Sequence, residues 1–341
     1  MGNAPWNGPL FIVGLPRSGT KLLRALLNNH PRIHIPSTET EFLPIWIAEW
    51  DRYGDLADYA NFKSFHQRSV RLPYFNYQLG YGRPVDPRTW YASCRDYSVA
   101  GVFEALVRHD TGTLHNAGVI WGDKSPTYIR YMAPIAGTFP GARVIHIVRD
   151  VRDYCLSVEN AWGKTKVRAA QRWVDSILGA RQVAARLRGR YMELRYEDLL
   201  TDPEAEITRI CRFLGVDFRA AMIRLDGPSE GVGDARNQSR IVQENSGKYL
   251  RKMRRRDLAA VEAIAGQLLR DMNYSLALPA SERKRVRPAL MRLYQLCDGV
   301  SFLRFMIRRR GIAPALRHWL GGVARIARLR GARLLEKTTM P

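Results

Sequence analysis

The apolar run Leu10-Phe11-Ile12-Val13 passes into Gly14-Leu15-Pro16-Arg17-Ser18-Gly19-Thr20-Lys21, and then into Leu22, Leu23, Leu26 and Leu27 at helical spacing. The pattern predicts a buried strand, a Gly-containing turn and a helix, which Asn28-Asn29-His30-Pro31 ends. Ala142–Val148 is a second continuous apolar strand with one His. It runs through Arg149-Asp150-Val151-Arg152-Asp153 into a helix reaching Trp162. Tyr191–Tyr196 alternates like a strand. Asp202-Pro203-Glu204 then opens a helix with an acidic cap and Pro at its first position, and Gly215 stops it after Ile207, Ile210, Cys211 and Leu214. Strands alternating with helices predict an α/β chain, a three-layer αβα arrangement around a central parallel sheet. Ligands of such sheets sit at the carboxyl ends of strands, where the 14–21 loop and Arg149 lie.

A long insertion, about residues 42–118, separates the first helix from the 142–148 strand. Residues 42–97 hold 14 of the chain's 34 aromatics, among them Trp46, Trp50, Tyr74, Phe75, Tyr77 and Trp90. Core packing is expected for most of these rings, and a few are expected to line an acceptor pocket. Toward the end, residues 281–341 hold fifteen Lys or Arg and three acids. Stretches such as Phe302–Arg308 and Val323–Leu335 interleave apolar and basic residues. They suit a helix lying on an anionic membrane surface, with a solvated or oligomer-forming tail as the alternative. The expected organisation is an α/β domain over 1–278 and a basic helical extension over 279–341.

The net charge of +22 calls for an anionic partner. Cys94, Cys155, Cys211 and Cys297 are far apart, lack metal-ligand spacing and read as reduced thiols. Met1-Gly2-Asn3-Ala4-Pro5-Trp6 has neither a signal-peptide pattern nor the Ser or Thr that myristoylation prefers. No stretch is long and apolar enough to span a bilayer. These features give an expectation of a cytoplasmic protein, with peripheral contact to the inner face of the membrane and no nucleic-acid partner.

The 14–21 loop carries the chemistry. A strand–loop–helix aims backbone N–H groups and a helix N-terminus at one point, which makes an anion site. Gly14 and Gly19 have the spacing of a nucleotide-hydrolysing P-loop, but Thr20-Lys21 stands in swapped order, so the phosphate-reaching Lys is missing from its position. Arg17 lies inside the loop instead. Val148 is followed by Arg149-Asp150, so no strand ends in a bare Asp for Mg²⁺. A P-loop-like cradle remains without the metal-dependent triphosphate apparatus, and no metal is expected.

Gly14-Leu15-Pro16-Arg17-Ser18-Gly19-Thr20 resembles the 5′-phosphosulfate loop of sulfotransferases that use 3′-phosphoadenylyl sulfate (PAPS). Arg149-Asp150-Val151-Arg152-Asp153 with Ser157 resembles their 3′-phosphate motif. Gly122-Asp123-Lys124-Ser125-Pro126 is similar to their Lys-Thr-Pro segment. Arg195-Tyr196-Glu197-Asp198-Leu199, followed by Thr201-Asp202-Pro203 and Phe213-Leu214-Gly215, is similar to their adenine-side segment. The resemblance covers about residues 9–275 in family order, and Arg17 points to the bacterial, carbohydrate and tyrosylprotein branch.

The resemblance implies PAPS as donor, 3′,5′-ADP as product and a hydroxyl acceptor, with a carbohydrate or glycolipid leading. Pro16, Arg17, Ser18, Gly19, Thr20 and Lys21 would meet the phosphosulfate. Arg149 and Ser157 would meet the 3′-phosphate, and Tyr196 the adenosine. Ser246 and Lys248, in Ser246-Gly247-Lys248-Tyr249, stand where the family has a Gly-Lys-Trp-like loop, and Arg240 is a weaker candidate. Arg17 and Lys124 would stabilise developing charge, and Glu39 would be the base, with Glu41 its competitor. Lys21 stands where the family commonly has Thr.

Structural alternatives accompany these roles. Arg149 could cap its strand with Asp150 or Asp153. Lys124 could be a surface lysine. Glu39 or Glu41 could pair with Arg32 or Arg52. His146 is expected in the core and His30 at the end of the first helix. The competing function classes are a P-loop kinase, which the missing Lys at position 20 disfavours, and a non-catalytic anion- or membrane-binding protein.

Overall fold

The computed structural model describes residues 6–80, 84–229, 235–283, 286–313 and 315–316. The Met1–Pro5 segment and the Val323–Leu335 stretch lie outside the described residues. Strand β1 (Leu10–Gly14) leads through the 15–19 loop into helix α1 (Thr20–Asn28), and β2 (Ile33–His34) follows. After the insertion come β3 (Ile120–Lys124), β4 (Arg143–Val148), α2 (Val151–Trp162), α3 (Lys166–Ala184), β5 (Tyr191–Arg195) and α4 (Pro203–Leu214). Two further long helices are α5 (Arg255–Asp271) and α6 (Pro288–Arg310).

The five strands form one sheet in the order β2-β3-β1-β4-β5, and every pairing is parallel. β1 is central, with Ile12 opposite Lys124 on one side and Ile145 on the other. Its unbroken apolar run follows from burial of both faces. Phe11 and Val13 join the aromatic cluster of the insertion, whereas Leu10 and Ile12 pack with α1 and α4. The helices predicted after the 14–21 loop and after Asp202 are present, and the strands predicted over 142–148 and 191–196 appear as β4 and β5, each one residue shorter. Asp202 caps α4 by accepting the Ala205 N–H at 3.0 Å. The apolar pattern did not predict β2 and β3 as strands.

The insertion supplies helices Leu43–Glu49, Tyr59–Ser69, Pro73–Gly80, Pro87–Ser93 and Val99–Asp110. Most of its rings are core, as expected. Trp46 lies 4.3 Å from Phe42, 4.9 Å from Phe65 and 5.9 Å from Trp90, centroid to centroid. Tyr77 is the exception among the six rings singled out, half exposed to solvent. Losing one of the fully buried indoles would cost about 3–5 kcal/mol.

Beside the insertion's cluster, which Ala180 of α3 joins, α2, α3 and α5 share a third core. Arg152, fully buried at the start of α2, pins this layer: it bonds Asp150 Oδ2 at 2.6 Å, Glu262 Oε1 of α5 at 2.8 Å and the Ser275 carbonyl at 2.8 Å. Such an internal charge is tolerable only when fully paired, and its pairing fixes how α2 leaves β4. His146 is a core residue as expected, with Nδ1 2.7 Å from the Tyr191 hydroxyl. His30 stands at the end of α1, where its Nδ1 accepts the Arg32 N–H at 3.0 Å. All four cysteines are free.

Candidate functional site

The 15–19 loop sits at the carboxyl end of β1, and its geometry is built from two positions. Arg17 adopts φ +80° and Gly19 φ +93°. A Cβ on Gly19 would lie 2.3 Å from the Tyr196 ring, so only glycine fits beneath it. Gly19 also caps α1 without a side-chain hydrogen bond. The first-turn N–H groups of a helix have no intrahelical acceptor, and here they face the loop with the positive end of the helix dipole. Ser18 and Thr20 are buried, Pro16 and Arg17 are half-buried, and Lys21 is exposed on the first turn.

Arg149, at the end of β4, lies against this loop and is buried. Its Nη1 donates to the Arg17 carbonyl at 3.2 Å and its Nη2 to the Asn245 carbonyl at 2.6 Å, while its Nε is buried without a partner. The guanidinium stands 4.9 Å over the Tyr196 ring, a cation–π arrangement. Ser157, two turns into α2, accepts from Arg17 Nε at 3.2 Å. Asn245 joins the remaining parts, since its Nδ2 donates to the Tyr196 hydroxyl at 2.7 Å and its Oδ1 accepts from Lys248 Nζ at 2.7 Å. Asp153 of α2 accepts the Tyr249 N–H at 2.8 Å, which ties the 246–249 segment down. Burial pushes the Asp153 carboxyl upward, and Arg149 offsets part of that rise.

A second cluster lies at the end of β3, next to β1. Lys124 Nζ is 2.5 Å from Glu39 Oε1. The lysine is buried and the glutamate is about one-third exposed. Burial holds the Lys124 ammonium below the usual lysine range, Glu39 counters this, and the charges of Arg24 and Lys21 add to the lowering. The helix face carrying Lys21 and Arg24 therefore shares this cluster's electrostatics, linking it to the loop.

Three hydroxyls fasten the Glu39-bearing segment to the one bearing Lys124. Ser125 Oγ accepts the Glu41 N–H at 3.3 Å, the Tyr128 hydroxyl accepts the Leu43 N–H at 3.1 Å, and Thr40 Oγ1 lies 2.6 Å from that same hydroxyl. Asp123 is fully buried beneath them, and neither of its oxygens has a hydrogen-bond partner. Burial pushes its carboxyl up to about 7; the Ser125 and Thr40 hydroxyl dipoles and the Lys124 charge offset only part of this, and Glu39 adds to it.

The structure thus brings Arg17, Ser18, Gly19, Thr20, Arg149, Ser157, Tyr196 and Lys248 together, with Lys124 and Glu39 as a neighbouring pair. Glu39 pairs with Lys124 rather than Arg32 or Arg52, and Arg52 instead lies 3.7 Å from Glu49. Glu41 adopts φ +53°. The Ser246 hydroxyl is turned to the Gln243 carbonyl at 3.0 Å, and exposed Arg240 lies 3.7 Å from Glu244. Sequence reasoning missed Asn245, Asp123, Thr40 and Tyr128. Asn245 directly precedes the Ser-Gly-Lys segment, and Asp123 precedes Lys124, so proximity to a motif was their signal.

Residues 9–220 match a family described as the Sulfotransferase family. The chain is 44% identical over 50 residues to carbohydrate sulfotransferase 7 of Mus musculus, 15% of this chain and 10% of that protein. It is 24% identical over 239 residues to protein-tyrosine sulfotransferase 1 of Danio rerio, 65% of this chain and 58% of that one. The chain therefore spans less than two thirds of either relative. Among solved structures, the sulfotransferase domain of the Synechococcus PCC 7002 olefin synthase matches with a TM-score of 0.54 at 23% identity, covering 82% of this chain and all of that domain. At that identity the likeness is one of fold, and the fold includes the P-loop-like strand–loop–helix.

Proposed function

The chain belongs to the sulfotransferase family, and on that premise we propose that it moves a sulfuryl group from PAPS to a hydroxyl acceptor by metal-free in-line transfer. The observation that carries the reading is the pairing of buried Lys124 with Glu39 at the carboxyl end of β3, beside an open anion loop. The residues present fit a doubly anionic nucleotide: Gly19 leaves the space under Tyr196 free of a Cβ, α1 begins without a side-chain cap, and Arg149 keeps a buried Nε unpartnered.

PAPS, when bound, supplies an activated sulfuryl group and a second anionic end at its 3′-phosphate. Arg17 and the first-turn N–H groups of α1, with Pro16, Ser18, Thr20 and Lys21 around them, hold the phosphosulfate end. Arg149, Ser157 and Lys248 hold the 3′-phosphate end, with Ser246 beside them, and the Tyr196 ring supports the adenosine. Glu39 takes the acceptor proton on its carboxylate, a general-base role worth about 10²–10⁴-fold in rate. Lys124 then loses its partner's charge and is left to stabilise negative charge on the departing phosphate, in the manner of electrostatic preorganisation.

We take the acceptor to be a carbohydrate or glycolipid hydroxyl. The aromatic insertion bordering Glu39 supports this, as does the short stretch shared with a carbohydrate sulfotransferase. The proposal extends to a cytoplasmic protein that meets the inner face of the membrane peripherally. No helix among the described residues is long and apolar enough to cross a bilayer. Calorimetry tests the donor: PAPS and 3′,5′-ADP are expected to bind and ATP–Mg²⁺ is not, and binding of ATP–Mg²⁺ alone overturns the reading. Transfer of radiolabel from PAPS into oligosaccharide and lipid extracts then identifies the acceptor.

A further inference from the structure

Among its described side chains, helix α6 meets the body of the protein through Asp298, Phe302 and Met306. Asp298 accepts the Thr165 N–H at 2.7 Å, Lys164 Nζ stands 5.0 Å over the Phe302 ring, and Met306 is buried. At about 100° per residue these three positions define one face. On the opposite side Leu290, Leu293, Cys297, Val300, Arg304 and Arg308 fall within about 80° of one another. All six are exposed, Leu293 at 53% and Val300 at 51%. The face is graded, with its apolar residues in the first three turns and its two arginines in the last.

A surface helix normally turns its apolar stripe toward the core. Here the core has one side, and a second apolar stripe faces water with cations at its end. Along the chain, residues 281–341 carry fifteen Lys or Arg against three acids, so the segment that contains this face has a net positive charge. A second copy of this chain is disfavoured as the occupant, because mating two such faces side by side would bring Arg304 and Arg308 into one desolvated seam without carboxylates. A surface with an apolar interior and anionic head groups matches both features.

We propose that the solvent-facing side of α6 is a docking surface for an anionic lipid bilayer: Leu290, Leu293 and Val300 enter the head-group boundary, and Arg304 and Arg308 contact lipid phosphates. This sharpens the peripheral-membrane part of the reading above to one helix face, and it does not depend on the reaction performed at the anion loop.

Co-sedimentation of the full chain with phosphatidylcholine vesicles, with and without phosphatidylglycerol, tests it directly. Binding is expected only with phosphatidylglycerol present, weakening as salt is raised. L293D/V300D is expected to weaken binding at least tenfold. R304Q/R308Q is expected to weaken it about tenfold to thirtyfold at low salt. Both variants lie at exposed positions and should keep the wild-type circular dichroism spectrum. Three results would each overturn the proposal: no preference for anionic vesicles, wild-type binding by both variants, or a dimer in light scattering that L293D/V300D converts to a monomer. The last would assign the face to a second copy.

Discussion

Lys124 Nζ and Glu39 Oε1 stand 2.5 Å apart, although 85 residues separate them in the chain. The pair has a buried cationic member and a partly exposed anionic one, so the carboxylate is open to solvent while the lysine is not. Under the proposed transfer the two groups divide the work, one accepting a proton and the other stabilising the charge that leaves.

Glu39→Gln should therefore leave the Kd for 3′,5′-ADP near wild type and lower turnover by about 10²–10⁴-fold, the span of a general base. Steady-state kinetics with an identified acceptor checks this. If Glu41→Gln has that effect and Glu39→Gln does not, the roles are exchanged.

Arg149→Ala should raise the Kd for 3′,5′-ADP about 10–100-fold, as expected for hydrogen bonds to a charged group worth about 1.5–3 kcal/mol. Calorimetry measures it. An unchanged Kd would mean that the Arg17 and Asn245 carbonyls, not a ligand, are the residue's whole purpose.

How far the site could be read from sequence depended on how local its signals are. The β1–loop–α1 unit was legible because an apolar run, glycines and leucines at helical spacing sit side by side. β3 was not. Ile120-Trp121-Gly122-Asp123-Lys124 contains a glycine and two charges, yet every residue is buried, because β1 and β2 flank it and the insertion covers it. Which of Glu39 and Glu41 meets Lys124 is likewise a tertiary fact that the local sequence does not carry; Glu39 is the one in contact. Asn245 adjoins the Ser-Gly-Lys segment and lies three residues from Lys248, but its contacts with Arg149 and Tyr196 exist only in the tertiary structure.

Asp123 makes stability depend on pH. Its folded-state pKa of about 7 lies above the ordinary 3.8. The folded form therefore holds a proton that the unfolded chain releases, so this stability is complete below about pH 4 and is lost as pH rises through 7. Asp123→Asn should remove that slope and stabilise the protein at pH 8 by a few kcal/mol, since each tenfold change in proton affinity is worth roughly 1.4 kcal/mol. Urea unfolding of both proteins at pH 5 and pH 8 checks it. Glu197, also raised to about 7 by burial, remains in both and cancels in the comparison.

Gly19→Ala should disturb the anion loop and the aromatic wall together, because the new methyl would stand 2.3 Å from the Tyr196 ring at a φ of +93°. A loss of about 1–3 kcal/mol in stability is expected for such overpacking, and 3′,5′-ADP binding should weaken as well. Thermal unfolding with and without the nucleotide separates the two effects.

The aromatic insertion leaves the sheet layer just after Glu39 and returns to it at β3, which ends in Lys124. The loop, Arg149 and Ser157 belong to other stretches of chain. Under the proposed chemistry, whatever grips the acceptor is thus spliced directly to the base and its lysine, whereas the nucleotide grip is anchored elsewhere. A change confined to that excursion would therefore alter the acceptor side while leaving the donor side's own residues in place.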